Sequence, residues 1–219
     1  MEYQVIPESR FEEVIHHLRF NFPDEPLNVS VGFCAHGQEC ELLEHHDLET
    51  LREGFSLMAL DTETGVIAGV ALSGVSKRGD AEKALEEMKS IDNLKYHRIF
   101  GLLNNVNKSL DLYSKYNVEE IFDIRILSVD TRYRGKGLAK ELFHRSGLLA
   151  AEKGFKLLKT DATSLFTQKV AESDGYTVAK SVKYGDYKDE NGKQIYKTQS
   201  PHDYYKVMIR LIDGHANSE

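Results

Sequence analysis

The chain has 219 residues, a net charge of −7, 41% hydrophobic and 29% charged residues. That balance is ordinary for a water-soluble globular protein, and the length can bury a core without covalent staples. An acidic chain is not a general nucleic-acid or anionic-membrane binder. It shows no hydrophobic leader and no apolar run long enough to span a bilayer. Cys34 and Cys40 are the only cysteines. They fit a reducing, cytoplasmic compartment; a disulfide between them stays open, but nothing in the sequence asks for one.

In chain order, Tyr3–Ile6 reads as a short strand. "SRFEEVIHHLRF" reads as a helix, with Ser9 and Glu12 as a capping box and Phe11, Val14, Ile15 and Leu18 on one stripe. "NFPDEPLN" reads as a loop, and Glu39–Arg52 as a second helix stopping at Gly54. "FSLMAL" and "VIAGVALSGV" are strands joined by the turn "DTETG". Residues 80–115 are rich in Glu, Lys and Leu and read as helical, in at least two pieces. "EEIFDIRILSV" is strand, "KGLAKELFHRSGLLAAEKG" helix, "FKLLKT" strand, "SLFTQKVAESDG" helix and "YTVAKSVKY" strand. An Asn-Gly turn in "KDENGKQ" predicts pairing of Tyr184–Tyr187 with Gln194–Lys197. "YYKVMIRLI" is a last strand, and 213–219 reads as a disordered tail. The expectation is a single domain over 1–212, an α/β fold with a mixed, mostly antiparallel twisted sheet of about seven strands flanked by helices.

The most informative stretch is "ILSVDTRYRGKGLAKELF". Arg132, Arg134 and Lys136 crowd positive charge onto a strand-to-helix loop, and Gly135 and Gly137 bare its backbone. A helix N-terminus offers unpaired N–H groups and a partial positive charge, so the spacing Arg-x-x-Gly-x-Gly suits a pyrophosphate. A P-loop fails because Gly137 follows Lys136, and a dinucleotide fingerprint fails because Lys140 stands at its third glycine. The structural alternative is a solvated basic turn.

This loop, after "ILSV" and before a helix, resembles the acetyl-CoA signature of the GNAT N-acetyltransferase superfamily. "FPDEPL", "IRILSVDTRYRGKGLA", "KTDATSLFTQ" and "SPHDYYKVMIRL" occur in the order seen in the insect-type arylalkylamine N-acetyltransferases, and the likeness covers nearly the whole chain. It implies the GNAT fold, acetyl-CoA as co-substrate and a small primary amine as acceptor: an arylalkylamine such as dopamine, tryptamine or serotonin, or a polyamine or agmatine. By the same resemblance Leu127, Ser128 and Val129 would offer edge-strand backbone to the pantetheine arm. Arg132, Arg134, Gly135, Lys136, Gly137, Leu138 and Ala139 would hold the pyrophosphate.

A primary alkylamine has a pKa near ~10, so only about one molecule in ~10³ is neutral at pH 7, and the reaction needs a base. Glu25, stiffened between Pro23 and Pro26, is the candidate, and the resemblance also puts the catalytic glutamate there. An ordinary glutamate is a weak base for this task, so a bridging water or a pKa raised by burial is expected. Asp24 would attract a cationic amine and Phe22 would line the pocket. The alternative for the acidic pair is an exposed turn. The tyrosine acid of many GNAT enzymes is missing, because position 171 is alanine. Thr163, Ser164 and Thr167 lie where the resembling family carries active-site hydroxyls, with helix capping as the alternative. His202 is a proton relay or an orienter of Glu25, or else structural.

No metal site is expected: His45 and His46 are adjacent and diverge on a helix, as do His16 and His17. The expected protein is a monomeric N-acetyltransferase working by direct transfer, with no nucleic-acid or membrane partner. A protein or peptide N-acetyltransferase and a silent acyl-CoA-binding module are the rivals.

Overall fold

The computed structural model describes residues 1–212; the tail expected to be disordered lies outside them. Seven strands form one sheet in the order β1-β2-β3-β4-β5-β7-β6. They are β1 Glu2–Val5, β2 Leu57–Leu60, β3 Ile67–Lys77, β4 Glu120–Val129, β5 Leu157–Ala162, β6 Thr177–Lys183 and β7 Tyr204–Leu211. Every neighbouring pair is antiparallel except β4 with β5. The helices are α1 Phe11–Asn21, α2 Pro26–Val31, α3 Glu41–Arg52, α4 Asp80–Glu87, α5 Leu94–Leu110, α6 Leu112–Tyr116, α7 Leu138–Glu152 and α8 Leu165–Ser173. None among the described residues is long and apolar enough to cross a membrane.

Helices cover both faces. On one, Val14, Ile15 and Leu18 of α1 and Leu51 of α3 pack on Met58, Val70, Leu72 and Ile126. On the other, Leu138 and Leu142 of α7 meet Leu57, Ala59 and Ala71, while Phe143 and Ala150 meet Phe122, Ile124 and Leu158. Burial on both sides explains why β3 reads as a nearly continuous apolar run instead of alternating.

Several expectations change. A 3-10 turn, Glu8–Arg10, precedes α1, whose N-cap is Arg10 with no side-chain cap bond, so Ser9 and Glu12 form no capping box. Pro7 is extended and accepts the Arg10 amide, which takes Ser9 into the turn before the helix starts. "DEPLN" is not loop throughout. Pro26 opens α2, the Glu25 side chain caps it, and left-handed Gly32 (φ 65°) ends it, a proline-first, glycine-last pattern. The helix expected from Glu39 starts at Glu41 after Cys40. The expected hairpin around Asn191–Gly192 shrinks to one bridge, Lys188 with Gln194, because Tyr184–Asp186 coils into a 3-10 turn that buries Tyr184 in the core. Cys34 and Cys40 are joined as a disulfide. They are near neighbours because the turn between α2 and α3 folds back on itself, and the count alone could not show that.

Two irregularities shape the sheet's middle. Leu72 faces Ile126 but Ser73 faces Ile124, so Arg125 is an extra residue in β4. This bulge puts both Arg125 and Ile126 on the α1–α3 face. In addition β4 and β5 pair over only three positions, Phe122 with Leu158 to Ile124 with Thr160, and then part. Thr160 Oγ1 donates to the Ile124 carbonyl at 2.9 Å, closing the fork where the strands separate.

Candidate active site

The fork opens toward two groups of residues. Past Ile124 the β5 side of β4 has no partner strand. The Asp130 amide donates to Ala68 in the β3 direction (3.0 Å), so by strand alternation Leu127 and Val129 turn their main chain into the gap. Ser128 points the other way; its hydroxyl meets His17 Nε2 at 3.1 Å and the residue is buried.

The basic loop follows. Asp130 caps its first turn by accepting the Arg132 amide at 2.9 Å, and grips the Arg132 guanidinium through Nε (3.0 Å) and Nη2 (2.7 Å). This pairing holds the Asp130 carboxyl below its usual range. Arg134 folds back: Nε donates to the Val129 carbonyl at 3.0 Å and Nη2 to the Asn21 carbonyl at 3.3 Å. Lys136 lies over the Tyr133 ring, 5.1 Å from its centre. Gly135 (φ 77°) and Gly137 (φ 81°) take left-handed conformations, and a Cβ added to either would meet nothing. Among the described residues the amides of Gly135, Lys136 and Gly137 have no acceptor within the chain. Leu138 and Ala139 begin α7, whose first-turn amides lack helical partners. The result is a shallow, glycine-cleared cradle of N–H groups, with the two arginines bracing it from behind.

On the α1–α3 face lies a cavity of about 900 Å³ whose wall includes Phe22, Glu25 and Thr163. Glu25 is positioned by α2: its Oε2 accepts the Asn28 amide at 2.7 Å, while Oε1 is sealed from solvent with no hydrogen-bond partner. Burial pushes this carboxyl above the ordinary glutamate value. The Thr163 hydroxyl and the amides of Leu27 and Asn28 pull the other way. No bond of ordinary geometry joins Thr163 to the orphan oxygen. Asn28, which the sequence reading missed, anchors the turn. Its Nδ2 donates to the carbonyls of Pro23 (2.7 Å) and Cys34 (2.9 Å), and its Oδ1 accepts the Cys34 amide (2.7 Å). No short motif marks it; only the pairing of Pro26 at N1 with Gly32 past the end hinted that α2 existed.

The other candidates separate. Asp24 is exposed and turned to the basic loop, 2.9 Å from His36 Nε2 and 3.7 Å from Arg134 Nη1, outside the cavity. Ser164 caps α8, accepting the Thr167 amide at 3.1 Å and meeting its hydroxyl at 3.0 Å. His202 Nδ1 accepts the Leu165 amide at 3.1 Å, and burial lowers its pKa, so a neutral ring serves the first turn of α8. None of these three lines the cavity beside Glu25. Position 171, where many GNAT enzymes have their tyrosine acid, is a fully buried alanine.

Sequence reading picked out Thr163 but missed the rest of the polar wall made by β5 and the residue after it. Lys159, Asp161 and Thr163 alternate onto the cavity side, and Lys159 sits between Asp123 (2.9 Å) and Asp161 (2.7 Å). Burial works against the lysine's charge, but the two carboxylates outweigh it and keep it protonated. The alternation in "KTDAT" was the available signal, since polar side chains in a strand covered on both faces need a reason.

No protein-family profile matches the chain. Among solved structures it resembles arylalkylamine N-acetyltransferase 2 from Aedes aegypti, with a TM-score of 0.94, 43% identity, and 97% of this chain and 99% of that one covered. It also resembles a mosquito arylalkylamine N-acetyltransferase like 5b (TM-score 0.87, 26% identity, 96% and 99% covered). A Drosophila melanogaster polyamine N-acetyltransferase that forms N-acetylagmatine shares the fold at 21% identity (TM-score 0.85, 96% and 99% covered). Identity of 43% sustained over almost the full length of both chains, together with the forked sheet and the glycine-cleared cradle, places this chain in the insect arylalkylamine N-acetyltransferase family of the GNAT superfamily.

Proposed function

We propose that the protein moves the acetyl group of acetyl-CoA directly to a small primary amine, with Glu25 as general base. The supporting observation is the position of Glu25. Glu25 lines the cavity with Thr163, which stands at the end of the strand that forms one arm of the fork, and one oxygen of its carboxylate has no hydrogen-bond partner.

The diphosphate of acetyl-CoA would rest on the amides of residues 135–139, and its pantetheine arm would pair with the open edge at Leu127 and Val129. The thioester would then point along the fork, and the amine would approach from the cavity. The nitrogen attacks the thioester carbon, the C–S bond breaks, and CoA leaves as thiolate. The ammonium proton passes to Glu25 through a bridging water. A pKa raised by burial narrows the mismatch between the carboxylate and the amine, so Glu25 is a better base than a solvated glutamate. Holding both reactants at the fork removes the entropy cost of their encounter. Both cysteines are consumed in the disulfide, which fits direct transfer and leaves no thiol for an acyl-enzyme.

The decisive experiment is Glu25→Gln, assayed with acetyl-CoA and a panel of aryl, aliphatic and poly-amines. A fall of about 10²–10⁴ in kcat with unchanged acetyl-CoA affinity is expected, the usual worth of a positioned base. Undiminished kcat would remove Glu25 from the role, and no product from any amine with the unsubstituted protein would overturn the activity itself.

A further inference from the structure

Two buried side chains outside the proposed chemistry sit on either side of β5, where the fork begins. β5 stays paired with β7 over six positions, Leu157 with Leu211 to Ala162 with Lys206, but with β4 over only three. Thr160 stands at the last of those three. Its neighbours on the same face of β5, Leu158 and Ala162, belong to an apolar cluster with Phe143 and Ala150. Valine would fill that place at nearly the same size and leave no hydroxyl to satisfy. Thr160, 2% exposed, instead donates its hydroxyl to the carbonyl of Ile124, the last residue of β4 before the strands part. With that carbonyl satisfied by a side chain, β4 needs no further donor from β5, and the extra residue Arg125 carries it away. Gln168 of α8 works on the opposite side of β5. It is buried, and its Nε2 donates to the carbonyls of Ala162 (3.1 Å) and Tyr204 (2.7 Å). One amide thus ties the end of β5 to the start of β7.

We propose that Thr160 and Gln168 are positioning residues for acetyl-CoA: together they set the width of the fork, and so govern whether the pantetheine arm reaches the main chain of Leu127 and Val129. The inference rests on the reading that the arm lies there. Neither side chain has to touch the coenzyme, because each acts through a strand. Thr160 ends the β4–β5 ladder, and Gln168 holds the free end of β5 against β7. Without the Thr160 hydroxyl, the Ile124 carbonyl either loses a donor in a buried place or draws a β5 amide toward it, and both outcomes distort the slot. The cradle at residues 135–139 is insulated from this. Its loop is braced by the bonds of Arg132 to Asp130 and of Arg134 to Val129 and Asn21, and it shares no hydrogen bond with Thr160 or Gln168.

The test uses that separation. Dissociation constants are measured calorimetrically for CoA and for adenosine 3′-phosphate 5′-diphosphate, the part of the coenzyme that lacks pantetheine and reaches only the cradle. The unsubstituted protein should bind CoA more tightly than the fragment. Thr160→Val should weaken CoA about tenfold, the worth of roughly one hydrogen bond, and leave the fragment within about twofold. Thr160→Ser keeps the hydroxyl and should return CoA binding to within about threefold of the unsubstituted protein. Gln168→Met should also weaken CoA selectively. Loss of general stability would lower Tm and move both ligands together or neither. An unchanged CoA-to-fragment ratio in Thr160→Val overturns the inference, as does a Thr160→Ser protein that binds CoA as weakly as Thr160→Val. If Thr160→Val does not fold, the ratio in Gln168→Met decides. An unsubstituted protein that binds CoA no more tightly than the fragment sinks the pantetheine reading on which the inference rests, whereas a tighter grip on CoA that neither variant alters sinks the inference alone.

Discussion

Asn28→Ala tests whether Glu25, the base proposed above, is held by its own turn. The substitution removes three side-chain hydrogen bonds, at 2.7, 2.9 and 2.7 Å, between a 5% exposed residue and the carbonyls of Pro23 and Cys34 and the amide of Cys34. The Asn28 main-chain amide still reaches Glu25, so the cap of α2 survives while its foundation goes. Net values near ~1 kcal/mol per bond give about 3 kcal/mol, somewhat less where the disulfide limits how far Cys34 can move. In a domain of this size ~1 kcal/mol corresponds to roughly 2–4 °C in Tm, so thermal unfolding should drop by about 6–12 °C. Kinetics should show kcat down at least tenfold, because misplacing a reacting group by ~1 Å is worth about that or more, with little change in acetyl-CoA affinity. Asn28→Asp should fare no better, since it turns a carboxylate oxygen toward two carbonyls that had a donor. A Tm within ~2 °C of the unsubstituted protein together with unchanged kcat would show that the turn stands without Asn28.

Two further outcomes follow from the site. Gly137→Ala puts a Cβ into open space at φ 81°, so its stability cost should be only the ~1–2 kcal/mol of a left-handed alanine; yet the methyl stands beside the loop amides, and the dissociation constant for acetyl-CoA, measured calorimetrically, should rise at least tenfold. Unchanged affinity would mean that the diphosphate does not sit on these amides. His17 is buried neutral against Ser128, and burial lowers its pKa to about 4. Since the unfolded histidine titrates near ~6.5, the unfolded chain binds more protons between those values, and stability is lost as pH falls through that window. The loss is on the order of 3 kcal/mol, and a His17→Gln protein unfolded by urea at pH 4.5 and 7.5 should show a smaller difference between the two than the unsubstituted protein does.

The GNAT framework was legible because its signals are local. Arg132-x-x-Gly135-x-Gly137 between an apolar strand and an amphipathic helix is a statement about adjacent residues, and the structure keeps them adjacent, with both glycines at positive φ. Strand-and-helix alternation after residue 119 likewise follows from apolar spacing, which tertiary contacts did not override. Short polar segments were read less well. "FPDEPL" announced Glu25 but not the six-residue helix behind it, since so short a helix is held by its caps and contacts and not by propensity. The split between Asp24 and Glu25 was equally invisible. They are neighbours in the chain, yet one faces Arg134 and the other lines the cavity, because the Glu25 side chain turns back to cap the start of α2.

By itself, the sequence determined that residues 126–139 run from an apolar strand through a basic, glycine-opened turn into a helix and that Glu25 sits between two prolines; backbone chemistry encodes both within a few positions. Tertiary structure alone decided that Asp123, Lys159 and Asp161 meet, that Asn28 reaches Cys34, and that Ser164 and His202 serve the start of α8. The reason is distance along the chain. Which side chains converge depends on a three-position pairing of β4 with β5 and a single extra residue at Arg125, and neither leaves a mark in the amino acids that flank it.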